Sequence, residues 1–265
     1  MRFGSVLRVR TFCLVFNPAL TLSPGHYRLW VNGIHHGDIS FKNLMYDITG
    51  TGDPVGIIND FDLATWVDRS TANNDRTGAT PFMAIDLLDG GLDDRISRLY
   101  RHDMESFVWV LAYITVANIE YKDRTIKISP LPDVDAWFKD DDLRGRRAHV
   151  SSKLIFHLRY GHRQQVSGRY YNYHTVIRQM IRHWGNFYQS LQEKKYPSKP
   201  RRPDSIQEEH VLSEPEVDDP VDSLRQFVMA VETSLGEQDV EGFTGVKTLL
   251  LEAIETPTVS VNIVL

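Results

Sequence analysis

The stretch Asp103–Ile119 reads as a helix that is apolar almost all the way round. Met104, Phe107, Val108, Val110, Leu111 and Ile114 are spread over its faces rather than along one stripe. A helix without a solvent face has to be enclosed by other elements, so this one marks the centre of a domain. Two further helices are amphipathic. His174–Leu191 places Val176, Ile177, Met180, Ile181, Trp184, Phe187 and Leu191 at i, i+3, i+4 spacing, and Leu224, Phe227, Val228, Val231 and Leu235 repeat the pattern. Weaker helical patterns run over residues 25–30, ending at Gly33, and over 146–158 and 246–255. The opening segment, 1–24, reads as an irregular leader. With 265 residues and 42% hydrophobic content, the chain is large enough for one sizeable domain or two small ones.

The strand signal is confined to one place. Leu44–Tyr46 and Val55–Ile58 are short apolar runs on either side of Thr49-Gly50-Thr51-Gly52-Asp53-Pro54, a turn-rich connection, and together they predict a β-hairpin. Residues 65–80 are polar and read as a loop. Chemistry-bearing residues cluster around the hairpin. His36-Gly37-Asp38 precedes it, Asn43 lies five positions after Asp38, and Asp60 comes 17 residues beyond Asn43, directly after the hairpin. Phosphoryl transfer needs a carboxylate to take the proton of an attacking hydroxyl, and oxygen ligands for Mg²⁺ on the phosphates. Asp38 is placed to be the base, and Asn43 and Asp60 to be the metal ligands. The hairpin accounts for the spacing, because it returns the chain so that Asp60 arrives beside Asn43. Taken singly, His-x-Asp and Asp-x4-Asn are common, and either can be a plain polar turn; the weight lies in the combination.

His36-Gly37-Asp38-Ile39-Ser40-Phe41-Lys42-Asn43 resembles the protein-kinase catalytic loop, H-R-D-x4-N, and Asp60-Phe61-Asp62 resembles D-F-G. Arg76-Thr77-Gly78-Ala79-Thr80-Pro81-Phe82-Met83-Ala84-Ile85-Asp86 resembles the end of an activation segment with its A-P-E element. Asp103-Met104-Glu105-Ser106-Phe107 looks like the start of the buried helix that follows. In this combination the motifs are similar to the fungal-type protein kinase family, over about residues 25–120 and more weakly to about 192. The resemblance implies a mainly α fold with short β-hairpins, a protein-kinase-like C-terminal lobe. It implies that His36 packs beneath the catalytic loop in an apolar spine. Asp103 is implied to cap its helix and hydrogen-bond the loop backbone, and Thr77 or Thr80 to shape the platform for a substrate hydroxyl. As plain residues, the same positions are a core histidine, a helix cap and loop threonines.

Against that pattern, Gly37 stands where kinases carry Arg, Asp62 where most carry Gly, and Ser40 where common kinases carry Lys. Only 35 residues precede His36, without G-x-G-x-x-G or V-A-I-K, so the N-terminal β-lobe is expected to be missing. The resulting division is a leader at 1–24, the lobe at 25–195, a Pro- and charge-rich linker at 196–221 and a helical tail at 222–265. The expected function is that of a protein kinase-like phosphotransferase, from ATP with Mg²⁺ to a protein Ser/Thr hydroxyl, inactive without the missing lobe. The alternatives are a non-catalytic pseudokinase interaction module and a small-molecule phosphotransferase, the latter suggested by His-Gly-Asp and Asp-Phe-Asp. An exposed lobe interface is expected to be an apolar patch open to a protein partner. A net charge of −5 gives no general reason to expect nucleic acid as a partner. The Phe12–Phe16 run is too short to span a membrane. A single cysteine, Cys13, allows no intrachain disulfide and fits an intracellular setting.

Overall fold

The computed structural model describes residues 13–48, 50, 54–66, 78–89, 98–116, 118–122, 125–129, 136–138, 153, 171–195 and 219–235, together with 248, 252, 254 and 255. Thr77 lies outside them, as do the leader up to residue 12, the Pro-rich stretch and, apart from Lys153, the helix expected at 146–158. The described chain is mostly helical, with three pairs of short antiparallel strands.

Helix α1 spans Cys13–Val31. It is followed by β1 (Ile34–His35), β2 (Leu44–Ile48), β3 (Pro54–Ile58) and β4 (Thr65–Trp66). A 3-10 turn at Thr80–Phe82 leads into α2 (Ile85–Asp89), and then comes α3 (Tyr100–Val116). Strands β5 (Asn118–Lys122) and β6 (Thr125–Ser129) form a hairpin, and a second 3-10 turn covers Ala136–Phe138. Helices α4 (Tyr171–Lys195) and α5 (Pro220–Leu235) complete the order.

α3 is the centre. Every residue from Tyr100 to Tyr113 is buried, as its all-round apolar pattern requires, and α1, α4 and α5 pack against it. The stripe of α4 supplies Ile177, Met180, Ile181 and Trp184 to the core, and that of α5 supplies Leu224, Phe227, Val228 and Val231. Helix α5 therefore belongs to the same core as the lobe and does not stand apart as a tail. Fully burying each of these large apolar side chains is worth about 1.5–3 kcal/mol relative to exposure, which is why the amphipathic pattern is obeyed so closely.

One expectation fails at the N-terminal side. Residues 13–24 are not an irregular leader but the first two-thirds of α1. Pro24 and Gly25 sit inside it, and both weaken an isolated helix. The helix persists because its second half is enclosed: Leu22, Ser23, Pro24, His26, Tyr27 and Trp30 are buried. Burial overrides a local propensity that on its own favours a start at Pro24. The predicted hairpin is present as β2–β3, pairing Leu44 with Ile58 and Ile48 with Pro54. The run expected to be loop holds β4, whose two residues pair Trp66 with Ile34 and Thr65 with His35. Among the described residues no helix is long and apolar enough to cross a membrane.

Candidate active site

Two strand pairs frame the loop 36–43. β1 ends one residue before His36, and β2 starts one residue after Asn43. The β2–β3 ladder runs on past its last pair, because the Asn59 amide donates to the Asn43 carbonyl at 2.9 Å. That bond places Asp60 one residue from the strand partner of Asn43, which is the return that the sequence spacing implied. The Asn59 carbonyl in turn accepts a hydrogen bond from His36 Nε2 at 3.1 Å. Asn59 thus ties the two ends of the loop to the strand that carries Asp60, and it does so through its backbone, which no side-chain motif could have signalled.

His36 is fully buried. Its Nε2–H donates to Asn59, and its Nδ1 accepts the Asp38 amide at 3.2 Å. One donor and one acceptor describe a neutral imidazole with the proton on Nε2. Burial pushes the ring below its ordinary basicity, which agrees with that tautomer. The Phe61 ring meets it edge-on at 4.8 Å.

Asp38 is partly buried, and both of its carboxylate oxygens are engaged. Asn43 Nδ2 donates to Oδ2 at 2.8 Å and to the Asp38 carbonyl at 2.9 Å. Oδ1 accepts the Ala79 amide at 2.6 Å. Each oxygen has a second lone pair, so the carboxylate is fixed in orientation while keeping the capacity to accept a proton. Gly78 makes this approach possible. It has φ 121°, and a Cβ there would lie 2.6 Å from the Gly37 carbonyl oxygen. Gly37 itself has φ 81°, a conformation in which a side chain is strained, so the absence of Arg at this position has a backbone reason.

Asp60 is the opposite case. It is exposed and has φ 65°, the only positive value among the described non-glycine residues. Aspartate tolerates the left-handed region better than most residues, and such strain tends to be kept where a group must point a particular way. Large hydrophobic side chains are exposed around it: Ile57, Phe61, Leu63 and Trp66.

Beneath the loop lies a buried layer of charge. Asp103 is in the first turn of α3 and fully buried. Its oxygens take His26 Nε2 at 2.9 Å and Arg98 Nε at 3.0 Å. The expectation that Asp103 hydrogen-bonds the backbone of the catalytic loop is therefore corrected: its partners are a helix α1 histidine and an arginine just before α3. Burial opposes its charge, but Arg98 and His26 together hold the carboxyl well below the usual carboxylate range. Asp86, at the start of α2, is anchored in the same way. Arg101 Nη1 donates to it and His102 Nε2 lies 3.7 Å away. Against the cost of burial, His102 and Arg101 hold Asp86 well below its ordinary value. Thr80 is buried at the start of the first 3-10 turn, where its carbonyl accepts the Met83 amide.

Glu105 and Lys153 were not anticipated as site residues. Glu105 Oε1 accepts the Ile85 amide and the Trp109 indole N–H, each at 2.9 Å. Lys153 donates to the Met83 carbonyl. A lone glutamate within an apolar helix is itself a signal, because a buried carboxylate requires partners.

No group of three or more His, Cys, Asp or Glu side chains converges among the described residues. Residues 22–115, which run from the second half of α1 to the end of α3 and contain every feature above except Lys153, match the model of the fungal protein kinase family. No curated protein matches the chain.

Proposed function

With a match to the fungal protein kinase family at residues 22–115 as the premise, we propose, in place of the inactivity expected from the sequence, that the chain is a protein kinase-like phosphotransferase that moves phosphate from ATP to a protein Ser/Thr hydroxyl. The observation that carries this reading is the setting of Asp38. Its carboxylate is aimed by Asn43 on one side and by the Ala79 amide on the other, as a general base must be. The acceptor hydroxyl donates to a remaining lone pair of Asp38, and the proton passes to that carboxylate as the oxygen bonds the γ-phosphorus and the bond from that phosphorus to the bridging oxygen breaks, releasing ADP. The segment 78–82, pressed against the loop, is the platform on which the acceptor lies. With its Nδ2 on Asp38, Asn43 keeps its amide oxygen for a cation, and exposed Asp60 supplies a carboxylate. Two hard oxygen donors suit Mg²⁺, which takes its other ligands from phosphate and water. Bound Mg²⁺ neutralises charge on the phosphate oxygens.

The test is transfer of label from γ-labelled Mg-ATP to a generic protein acceptor, with phosphoamino-acid analysis, for the chain and for Asp38→Asn. The expected result is phosphoserine or phosphothreonine that disappears in the variant. Equal labelling by the two proteins would sink the proposal. A second reading, a non-catalytic interaction module, is favoured by the exposed Ile57, Phe61, Leu63 and Trp66 around Asp60, since clustered exposed apolar side chains mark binding surfaces. It predicts no labelling at all from a folded chain.

A further inference from the structure

A fully buried lysine whose role the proposed chemistry does not use lies behind the acceptor platform. Lys153 Nζ donates to the Met83 carbonyl and sits over two indole rings, 4.9 Å from the centroid of Trp109 and 5.7 Å from that of Trp137. One carbonyl and two π-faces account for the three ammonium donors. The rings are themselves interlocked, edge to face at 5.3 Å. On its other edge Trp109 donates to Glu105, and the same Glu105 oxygen accepts the Ile85 amide. The two chain positions flanking Ala84 are thus gripped by two opposite charges that share one indole. From Met83 the grip passes back through the 3-10 turn, where the Met83 amide bonds Thr80 and the Phe82 amide bonds Ala79. Ala79 is the residue whose amide orients Asp38.

We propose that Lys153 is a positioning residue for the Asp38 centre, acting through Met83 and the 79–82 turn to hold the Ala79 amide on the Asp38 carboxylate. The proposal rests on the reading of Asp38 as the base. A purely structural lysine is a poor alternative, because a buried ammonium is costly and an apolar side chain of similar volume would fill the space at least as well. The groups that face Lys153 electrostatically are Glu105 and, one layer on, Asp86, itself held by Arg101 and His102. Burial pulls the ammonium down to about 7, with the Glu105 charge opposing. Burial likewise pushes the Glu105 carboxyl up, with the Lys153 charge opposing, and the clamp loses its positive charge progressively as pH rises through about 7.

The experiment compares the full chain with Lys153→Met, Lys153→Arg and Trp137→Phe. It reads amide hydrogen exchange of peptides covering 79–85, and kcat and KM across pH 6–9. Lys153→Met is expected to release the protection of 79–85 and to lower kcat by about tenfold or more, leaving KM for ATP unchanged. Lys153→Arg, which stays charged, restores both and moves the alkaline limb of the rate profile upward from about pH 7. If Lys153→Met does not fold, Trp137→Phe carries the test, with a smaller loosening of 79–85 expected. Unchanged protection of 79–85 in a folded variant overturns the clamp whatever the activity. An Arg variant with the wild-type alkaline limb overturns its charge dependence. A wild-type chain that transfers no phosphate overturns the proposed function instead, and the clamp is then decided by exchange alone.

Discussion

The two sides of the candidate site are built on opposite terms. On the inner side, Asp38, Asp86, Asp103 and Glu105 each have partners supplied by the fold, and Asp103 and Glu105 are entirely withdrawn from water. On the outer side Asp60 is exposed and held in a left-handed conformation, and the large apolar side chains exposed on that side lie within six residues of it in the chain. The inner carboxylates are oriented before any ligand arrives. In the proposed function the outer one is completed by a ligand. Substitutions on the two sides should therefore fail differently, the inner ones through stability or geometry and the outer one through binding.

The largest effect is expected at Asp103. Asp103→Ala removes the buried carboxylate that His26 and Arg98 share, and loss of one partner of a buried pair costs about 3–5 kcal/mol, measurable by urea denaturation at neutral pH. Because the Asp103 carboxyl titrates below its ordinary 3.8, its contribution is complete above that pH and is lost as pH falls through the folded value. The gap between wild type and variant should close in acid. The histidines lose their share earlier. Burial depresses His36 and His102, and lowers His35 to about 4. Their contribution therefore declines as pH falls below 6.5, so wild-type stability should begin to drop before the Asp103 carboxyl titrates.

Asp38→Asn should leave the denaturation midpoint close to wild type while lowering phosphate transfer by about 10³. If stability falls and transfer does not, the assignment of Asp38 to chemistry is wrong. Gly78→Ala is expected to lose about 2 kcal/mol or more, since it combines left-handed strain with a clash against Gly37. It should also raise the exchange rate of the Ala79 amide. The smallest effect on stability belongs to the outer side. Asp60→Asn keeps a residue that tolerates its φ and should change stability by no more than about 0.5 kcal/mol. Mg²⁺-dependent nucleotide binding, followed by calorimetry, should weaken at least tenfold, about 1.4 kcal/mol. A large loss of stability in Asp60→Asn would erase the contrast between the two sides.

Much of this contrast was legible beforehand. The β2–β3 hairpin was predicted to within two residues at its ends, because Gly, Asp and Pro in its turn leave few other conformations. With it came the pairing of Asn43 with the neighbour of Asp60. The exclusion of water from α3 followed from its lack of a polar face. What was not legible depended on residues distant in the chain. The two-residue β1–β4 pairing has no local signature. The Asp103 carboxylate looked like a cap for its own helix, and its partner turned out to be His26, 77 positions away. Lys153 is the one Lys, Arg, Asp or Glu between Arg147 and Arg159, but only the fold places it against Met83, 70 residues earlier.

By itself, then, the sequence determined the periods of the helices, the hairpin and the set of residue types able to carry out phosphoryl transfer. These depend on backbone geometry and on chemistry within a few tens of residues. Tertiary structure alone decided that a proline-containing segment is helical from Cys13, which buried charges pair with which, and which backbone amides aim Asp38. Those outcomes come from the cost of burying an unpaired group. That cost is known only when the neighbours on every side have been brought together.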